Sequence, residues 1–370
     1  MKVLHLLPTL ASGGVEQVVL ELCAALHESG NESVVVSGGG RMVPDVEATG
    51  ARHITMAIGK KSIRTLFLIR KLRKLIEEEA PDVVNIHSRV PAWVGHRALK
   101  GIPESKRPKV VSTFHGYYSV NAYSAIMTRG DSIVAVSDFI RQHIAECYPK
   151  TDMSKVMVIP NSVDTSYHYP EYRPTTEWYE KWYAQFPEVK GKYVICLPAR
   201  VTRHKGAAHL EPILLGLKKQ GIPAHALIVG ETKKGKESLQ RELMASYEKA
   251  GLTADVTWTG LRRDIRDVMI ASDVILSLNL IPEAFGKTTL EALALGKPTA
   301  GYQAGGVGEQ LDTLLPEGKV PTGDTDKMVE VLAKWYKNPP YPNLPLGAPY
   351  RRKDMTDAYI NLYKELCNNK

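Results

Sequence analysis

A chain of 370 residues is long enough for two domains, each with its own core, and a composition that is 44% hydrophobic and 24% charged belongs to a folded globular protein. No apolar run approaches the ~20 residues that span a bilayer, and Cys23, Cys147, Cys196 and Cys367 form neither a C-x-x-C pair nor a metal-ligand spacing, so a disulfide framework is implausible and a reducing, cytoplasmic setting is expected. The net charge of +8 favours anionic partners: nucleotides, nucleic acid or an acidic membrane surface.

The opening MKVLHLLPTL is interrupted by Pro8 and leads straight into Gly13-Gly14, so it reads as a buried strand and not as a signal peptide. The two glycines permit a tight turn and close backbone approach, but they do not make G-x-G-x-x-G; a helix-initiating turn and a ligand loop both fit. Strand-like runs follow at residues 33–37, 82–86, 109–114, 132–136 and 156–159 after the first at 2–7. Helical patterns fill residues 15–26, 62–79, 92–99 and 138–147 between them. Alternation of helices with nearly all-apolar strands predicts a parallel sheet covered on both faces.

One helical segment is strongly basic, with Lys60, Lys61, Arg64, Arg70, Lys71, Arg73 and Lys74 before the first acid at Glu77. Leu68, Ile69, Leu72 and Ile76 recur in it at helical spacing. A crossover helix with a solvated basic face explains this pattern, and the same face suits anionic lipid headgroups. His87 and His115 each follow a strand, within HSRVPAW (87–93) and STFHGYY (112–118). Strand carboxyl ends carry the ligand loops of open α/β sheets, so either imidazole can meet a sugar hydroxyl or a phosphate; His115 is favoured.

The alternation breaks between residues 165 and 192, where Tyr167, Tyr169, Tyr172, Trp178, Tyr179, Trp182 and Tyr183 crowd among prolines. A linker with a short helix at 177–185 that packs into the seam between the two domains is expected there, with an aromatic binding surface as the other reading. A second alternation has strands at 193–197, 226–229, 255–258, 274–278 and 298–301, and a last helix at 353–367 follows a Pro-rich break.

Arg200 and Lys205 lie between a strand and a helix in LPARVTRHKG (197–206). An arginine fork and a lysine point charge at such a loop can hold a diphosphate and offset charge on a departing one. Glu283-Ala284-Phe285-Gly286-Lys287-Thr288-Thr289-Leu290-Glu291 follows another apolar run and enters a helix closed by Gly296 and Pro298. Amides at a helix start favour anions, and the flanking glutamates can accept from sugar and ribose hydroxyls. Asp324-Thr325-Asp326 has the D-x-D spacing of a metal site, but it precedes a helix, where capping is the expected role.

Taken with MTRGDSIVAVSDFI (127–140), VIPNSVD (158–164) and the closing YINLYKEL, these motifs resemble the family 4 retaining glycosyltransferases of the GT-B fold, of the bacterial lipopolysaccharide core or envelope polysaccharide type. The resemblance implies two facing Rossmann-like doubly wound α/β domains with a cleft between them. It implies an acceptor-side domain at residues 1–168 joined by the C-terminal helix 353–370, a linker at 169–192 and a donor domain at 193–352. It implies catalytic roles for His115, Arg200, Lys205 and Glu283. Substrate contacts would come from Gly13, Gly14, Gly230, Leu261, Ala284, Phe285, Gly286, Lys287, Thr288 and Glu291, with Glu291 on the ribose. The implied donor is a nucleotide diphosphate sugar, expected to be UDP-linked. The implied acceptor is a lipid-linked saccharide at the inner face of the cytoplasmic membrane, with an anionic membrane surface as partner. No metal, other cofactor or nucleic acid is expected. The linker departs from the family's Gly-Val-Asp at Ser162. An epimerase of the same fold and a non-catalytic nucleotide-sugar-binding protein are the alternatives.

Overall fold

The computed structural model describes residues 1–11, 13–60, 64–232, 235, 237–347 and 349–368, without the side chains of Arg64 and Leu66. Lys61, the helix start expected at residue 62, the Arg64 side chain and residues 369–370 of the expected C-terminal helix therefore lie outside the described residues. The chain forms two compact units, Met1–Ser162 with Ala348–Lys370, and Val163–Gly347.

The first unit runs β1 (Lys2–Leu6), α1 (Gly14–Glu28), β2 (Glu32–Ser37), α2 (Val43–Ala48), β3 (Arg52–Thr55), α3 (Arg64–Glu79), β4 (Val83–Ile86), α4 (Arg89–Lys100), β5 (Lys109–Phe114), β6 (Ser132–Ala135), α5 (Asp138–Cys147) and β7 (Val156–Val158). Its strands pair in parallel in the order β3-β2-β1-β4-β5-β6-β7. Strand β3 and helix α2 escape the hydrophobic pattern. In RHIT only partial burial is available at the sheet edge, so no apolar run marks the strand.

The second unit runs α6 (Thr176–Gln185), β8 (Tyr193–Leu197), α7 (Leu210–Lys219), β9 (Ala224–Val229), α8 (Glu237–Lys249), β10 (Val256–Gly260), α9 (Ile265–Ile270), β11 (Val274–Ser277), α10 (Lys287–Ala294), β12 (Thr299–Tyr302), α11 (Gly306–Leu314), β13 (Lys319–Val320) and α12 (Thr325–Lys337). Its parallel sheet has the order β10-β9-β8-β11-β12-β13. In both sheets the chain first winds outward on one side of the first strand, then crosses to the other. The strand order thus reverses between β1 and β4, and between β8 and β11. Such reversals open the crevices where α/β sheets bind ligands.

The last helix, α13 (Arg352–Asn368), belongs to the first unit, where Met355, Tyr359 and Tyr363 join Val18, Leu22 and Leu26 of α1 in the core. Asn85 on β4 donates to the Tyr363 hydroxyl at 2.6 Å and accepts from Thr113 on β5 at 3.0 Å, so its polar atoms are satisfied inside that core. Ser162 is buried, and its hydroxyl donates to Glu21 Oε2 at 3.1 Å, a bond glycine cannot make.

The aromatic segment belongs to the second unit, and the first unit stops at Ser162 rather than at residue 168. Trp182, Phe186 and Val189 pack in one cluster with Val194, Leu227, Val268 and Ile275 of the second unit. The Trp178 indole donates to Asp264 at 2.8 Å, and the Arg266 guanidinium lies 3.8 and 3.4 Å from the ring centres of Tyr167 and Tyr172. Side chains this large stabilise a fold mainly by burial, which gives the segment reason to join a core.

Candidate active site

At the second sheet's reversal, the loops after β8 and β11 are pressed together. Gly206 has φ +74, and a Cβ there would lie 2.1 Å from the Leu278 carbonyl oxygen. Beside it, the Leu280 amide donates to the His204 carbonyl at 2.8 Å. This close approach sets the lysine of the first loop against the first glutamate of the second. Lys205 Nζ donates to Glu283 Oε1 at 2.6 Å, and Asn279 Nδ2 donates to Glu283 Oε2 at 2.7 Å. The Glu283 main chain is held as well, since its carbonyl accepts from the Gly306 amide at 2.9 Å. Both carboxylate oxygens and the backbone are thus anchored before any ligand enters, which is the preorganisation that charge stabilisation needs.

Ala199, Lys205, Asn279, Glu283 and Thr288 line a small pocket at this point. Arg200 lies beside it on an exposed loop and has no ion-pair partner among the described residues. Gly230, at the end of β9, lets that loop pass: a Cβ on it would sit 2.2 Å from the Ala199 carbonyl oxygen. Gly286 caps α10 with φ +89, Ala284 and Phe285 are buried, and Lys287 and Thr288 are half-buried. Gln310 Nε2 donates to the Phe285 carbonyl at 2.7 Å and stiffens the loop from below. Glu291 lies in the second turn of α10 and is half-buried. Leu261 is exposed just after β10.

Arg203, in the same basic loop, is bound by Glu242 through two hydrogen bonds of 3.1 and 2.7 Å. Asp324 Oδ1 accepts from the Lys327 amide at 2.9 Å and caps α12. Among the described residues no three of His, Cys, Asp and Glu converge as metal ligands.

In the first unit, Gly13 caps α1 and Gly14 opens it, with open space where a Gly14 side chain would stand. At this sheet's reversal His5 on β1, His87 after β4 and His115 after β5 form a row. His5 Nδ1 is 3.1 Å from His87 Nε2, and His87 Nδ1 is 3.0 Å from His115 Nε2. The rings stack with centroids 5.4 and 5.2 Å apart. Burial pushes the imidazoles of His5 and His115 down to about 3 and that of His87 well below its ordinary value. All three are neutral at pH 7.

Sequence reasoning missed two members of these sites. Asn279 stands two residues beyond β11, a position at a strand's carboxyl end that carries its own signal. His5 lies inside an apolar strand, where only pairing of β1 with β4 reveals its partner.

Two family sequence models match the chain consecutively: Glycosyltransferase Family 4 over residues 12–167, and Glycosyl transferases group 1 over residues 179–345. The alpha-maltose-1-phosphate synthase of Mycolicibacterium smegmatis is 24% identical over 313 residues, covering 80% of this chain and 78% of that protein. A glycosyltransferase crystal structure from Rickettsia africae is similar with a TM-score of 0.83 and 25% identity, covering 100% of this chain and 99% of the other. Anabaena HepE, crystallised with UDP and glucose, shares the fold with a TM-score of 0.80 and 17% identity over 98% of this chain and 99% of its own.

Proposed function

From a chain that belongs to the group 1 and family 4 glycosyltransferases and has their GT-B fold, we propose a retaining hexosyltransferase that uses a UDP-linked sugar and a lipid-linked saccharide acceptor in lipopolysaccharide or related envelope polysaccharide synthesis. The observation that carries the donor site is the Lys205–Glu283 pair, which joins the R-x4-K loop to the E-x7-E loop at the sheet's reversal. A cation beside a sugar-directed carboxylate matches the junction of a sugar with its phosphate. In the proposed reaction the bond from the anomeric carbon to the phosphate oxygen breaks. Lys205 and Arg200 offset the charge on the departing diphosphate, and the acceptor hydroxyl attacks from the same face, giving its proton to the phosphate oxygen that leaves. These side chains supply the cations, so no metal is required in this reading. The UDP and glucose in the Anabaena structure support the choice of donor.

The lipid acceptor is supported by α3. Leu72 and Ile76 are buried, whereas Phe67 is 76% exposed and Arg70, Lys71 and Lys74 are exposed around it. Arg73 is not part of this face; its Nε donates to the Ala98 carbonyl at 3.2 Å. An exposed aromatic among cations suits a peripheral site at an anionic bilayer. Among the described residues no helix is long and apolar enough to cross a membrane.

A thermal-shift screen against UDP-, GDP-, ADP- and CMP-sugars, followed by transfer from the stabilising donor to a lipid-saccharide extract, tests the reading. Stabilisation by UDP-sugars and label in the lipid fraction are expected, since a bound donor raises stability by mass action. Label appearing only in a soluble sugar phosphate, the kind of product named for the mycobacterial relative, would replace the lipid acceptor. Stabilisation by none of the donors would remove the transferase reaction.

A further inference from the structure

The second unit carries a recess at the amino end of its sheet, where Tyr193 opens β8, Val274 opens β11 and Pro298 precedes β12. The Lys205–Glu283 pair stands at the opposite, carboxyl end of the same sheet, one strand length or roughly 15 Å away. The recess holds about 480 Å³, and a neighbouring one of about 260 Å³ shares Lys192 and Pro223 with it. The two are successive stations of one groove, which suits a chain of small units better than a single compact molecule.

Two exposed aromatic rings line the larger recess, Tyr341 at 63% and Tyr336 at 43% exposure. Both are held in place. Tyr336 meets the buried Tyr193 ring edge-on, with centroids 5.1 Å apart. Tyr341 lies against Gly296, which has φ +72 and where a Cβ would come within 3.0 Å of the ring. Faces fixed in this way lose little freedom when a ligand stacks on them. The polar groups are of both kinds. Asp273 is exposed; its Oδ2 accepts from the Val194 amide at 2.7 Å, and its other oxygen has no hydrogen-bond partner among the described residues. Lys192 is exposed and has no ion-pair partner among the described residues. An anion would meet the Asp273 carboxylate, and a cation would meet Lys192. A purely apolar ligand would strip water from both without replacing it. A sugar chain satisfies the whole set, because its hydroxyls both donate and accept and its C–H groups suit the negative face of an aromatic ring. We propose that this groove is a second, non-catalytic saccharide site, which binds a neutral oligosaccharide with sugar rings stacked on Tyr336 and Tyr341 and hydroxyls bound by Asp273 and Lys192. That this oligosaccharide is part of the acceptor rests on the transferase reading; the site itself does not. In that role the groove raises the effective concentration of the glycan at the enzyme without touching the reacting atoms.

Binding of the purified full chain, with no donor present, to an array of immobilised neutral oligomers of glucose, galactose, mannose and N-acetylglucosamine tests the site. Binding to at least one oligomer is expected. The double variant Tyr336→Ala with Tyr341→Ala should weaken it by ~10-fold or more, the loss expected for two stacked rings. Lys205→Ala should bind as the parent does. No binding to any oligomer overturns the proposal. So does binding that the tyrosine variant keeps, or that Lys205→Ala loses, since the glycan would then lie elsewhere. If the double variant does not fold, Tyr341→Ala alone should weaken binding by ~3-fold or more, and unchanged binding there overturns the proposal equally. Aromatic grooves also take proline-rich peptides, so a soluble polyproline peptide is the competitor. Displacement of the glycan by sugar but not by this peptide is expected; tighter binding of the peptide would assign the groove to a protein partner instead. With donor added, the double variant should show a raised KM for a long acceptor oligosaccharide and parental kcat. An unchanged KM overturns the acceptor role. Failure of every donor to bind or react counts against the transferase reading and leaves the groove to be judged on the array.

Discussion

Lys205 Nζ and Glu283 Oε1 lie 2.6 Å apart although 78 positions separate the two residues along the chain. The pair is half-buried, so a donor that takes up the lysine must release or share the carboxylate. Lys205→Ala and Arg200→Ala should each lower turnover by ~10²-fold or more, as expected for loss of one transition-state stabiliser. Steady-state kinetics at saturating donor would show it, and near-parental turnover removes that residue from the reaction. Because these side chains supply the cations, the parent should keep its activity in EDTA. Loss in EDTA that Mg²⁺ or Mn²⁺ restores would mean that a metal takes part.

The two glutamates should divide the donor between them. Glu291→Gln is expected to weaken UDP binding measured by calorimetry, because an amide is a poorer acceptor from ribose hydroxyls than a carboxylate. Glu283→Gln should act on turnover and leave free UDP affinity near the parent's. Weakened UDP affinity in Glu283→Gln alone would reverse the two roles.

Gly206 links loop geometry to chemistry. Gly206→Ala should lose ~1–3 kcal/mol of stability and most turnover, because the new Cβ meets the Leu278 carbonyl and moves Lys205 away from Glu283. Gly251→Ala is the control: its φ is +69 but open space surrounds it, so it should lose only ~1 kcal/mol and keep turnover. Thermal melts and kcat on both variants make the comparison. Equal turnover in the two would show that the contact with Leu278 does not position Lys205.

Helix α3 should bind anionic liposomes in a salt-sensitive way and neutral liposomes weakly, at ~1 kcal/mol per cation near the surface. Changing Phe67 to Ser together with Arg70 and Lys71 to Gln should abolish cosedimentation while UDP affinity stays intact. Unchanged sedimentation would leave α3 as a packed crossover helix only.

Stability should fall with acid. The imidazoles of His5 and His115 are held at about 3, and that of His87 well below its ordinary value, against 6.5 for an unperturbed histidine. The unfolded chain therefore takes up protons below pH ~6.5 that the folded chain refuses. The stabilisation is full above that pH and is lost towards pH ~3, at about 1 kcal/mol per pH unit per histidine. His96 and His168, both held at about 4, act in the same direction. Urea unfolding at pH 7.5, 6, 5 and 4 checks this, and a flat profile would deny the buried neutral row.

Periodicity and local chemistry determined much of this protein. The apolar runs at β1, β5, β8 and β11 are legible because strands covered on both faces are nearly continuous in buried, mostly hydrophobic residues. The R-x4-K and E-x7-E segments are legible through their resemblance to the family's loops, since charges in a loop between a strand and a helix are by themselves ordinary. Edge strands β3 and β13 are not, since partial burial or very short length leaves no run to read. The role of residues 169–192 is hidden too: an aromatic cluster reads alike whether it covers its own core or joins two domains, and only packing against Val194 and Ile275 decides. The contacts Lys205–Glu283, Asn279–Glu283 and His5–His87–His115 were settled by tertiary structure alone. Strand order brings distant loops to one end of a sheet, and a linear pattern carries no information about which strands become neighbours.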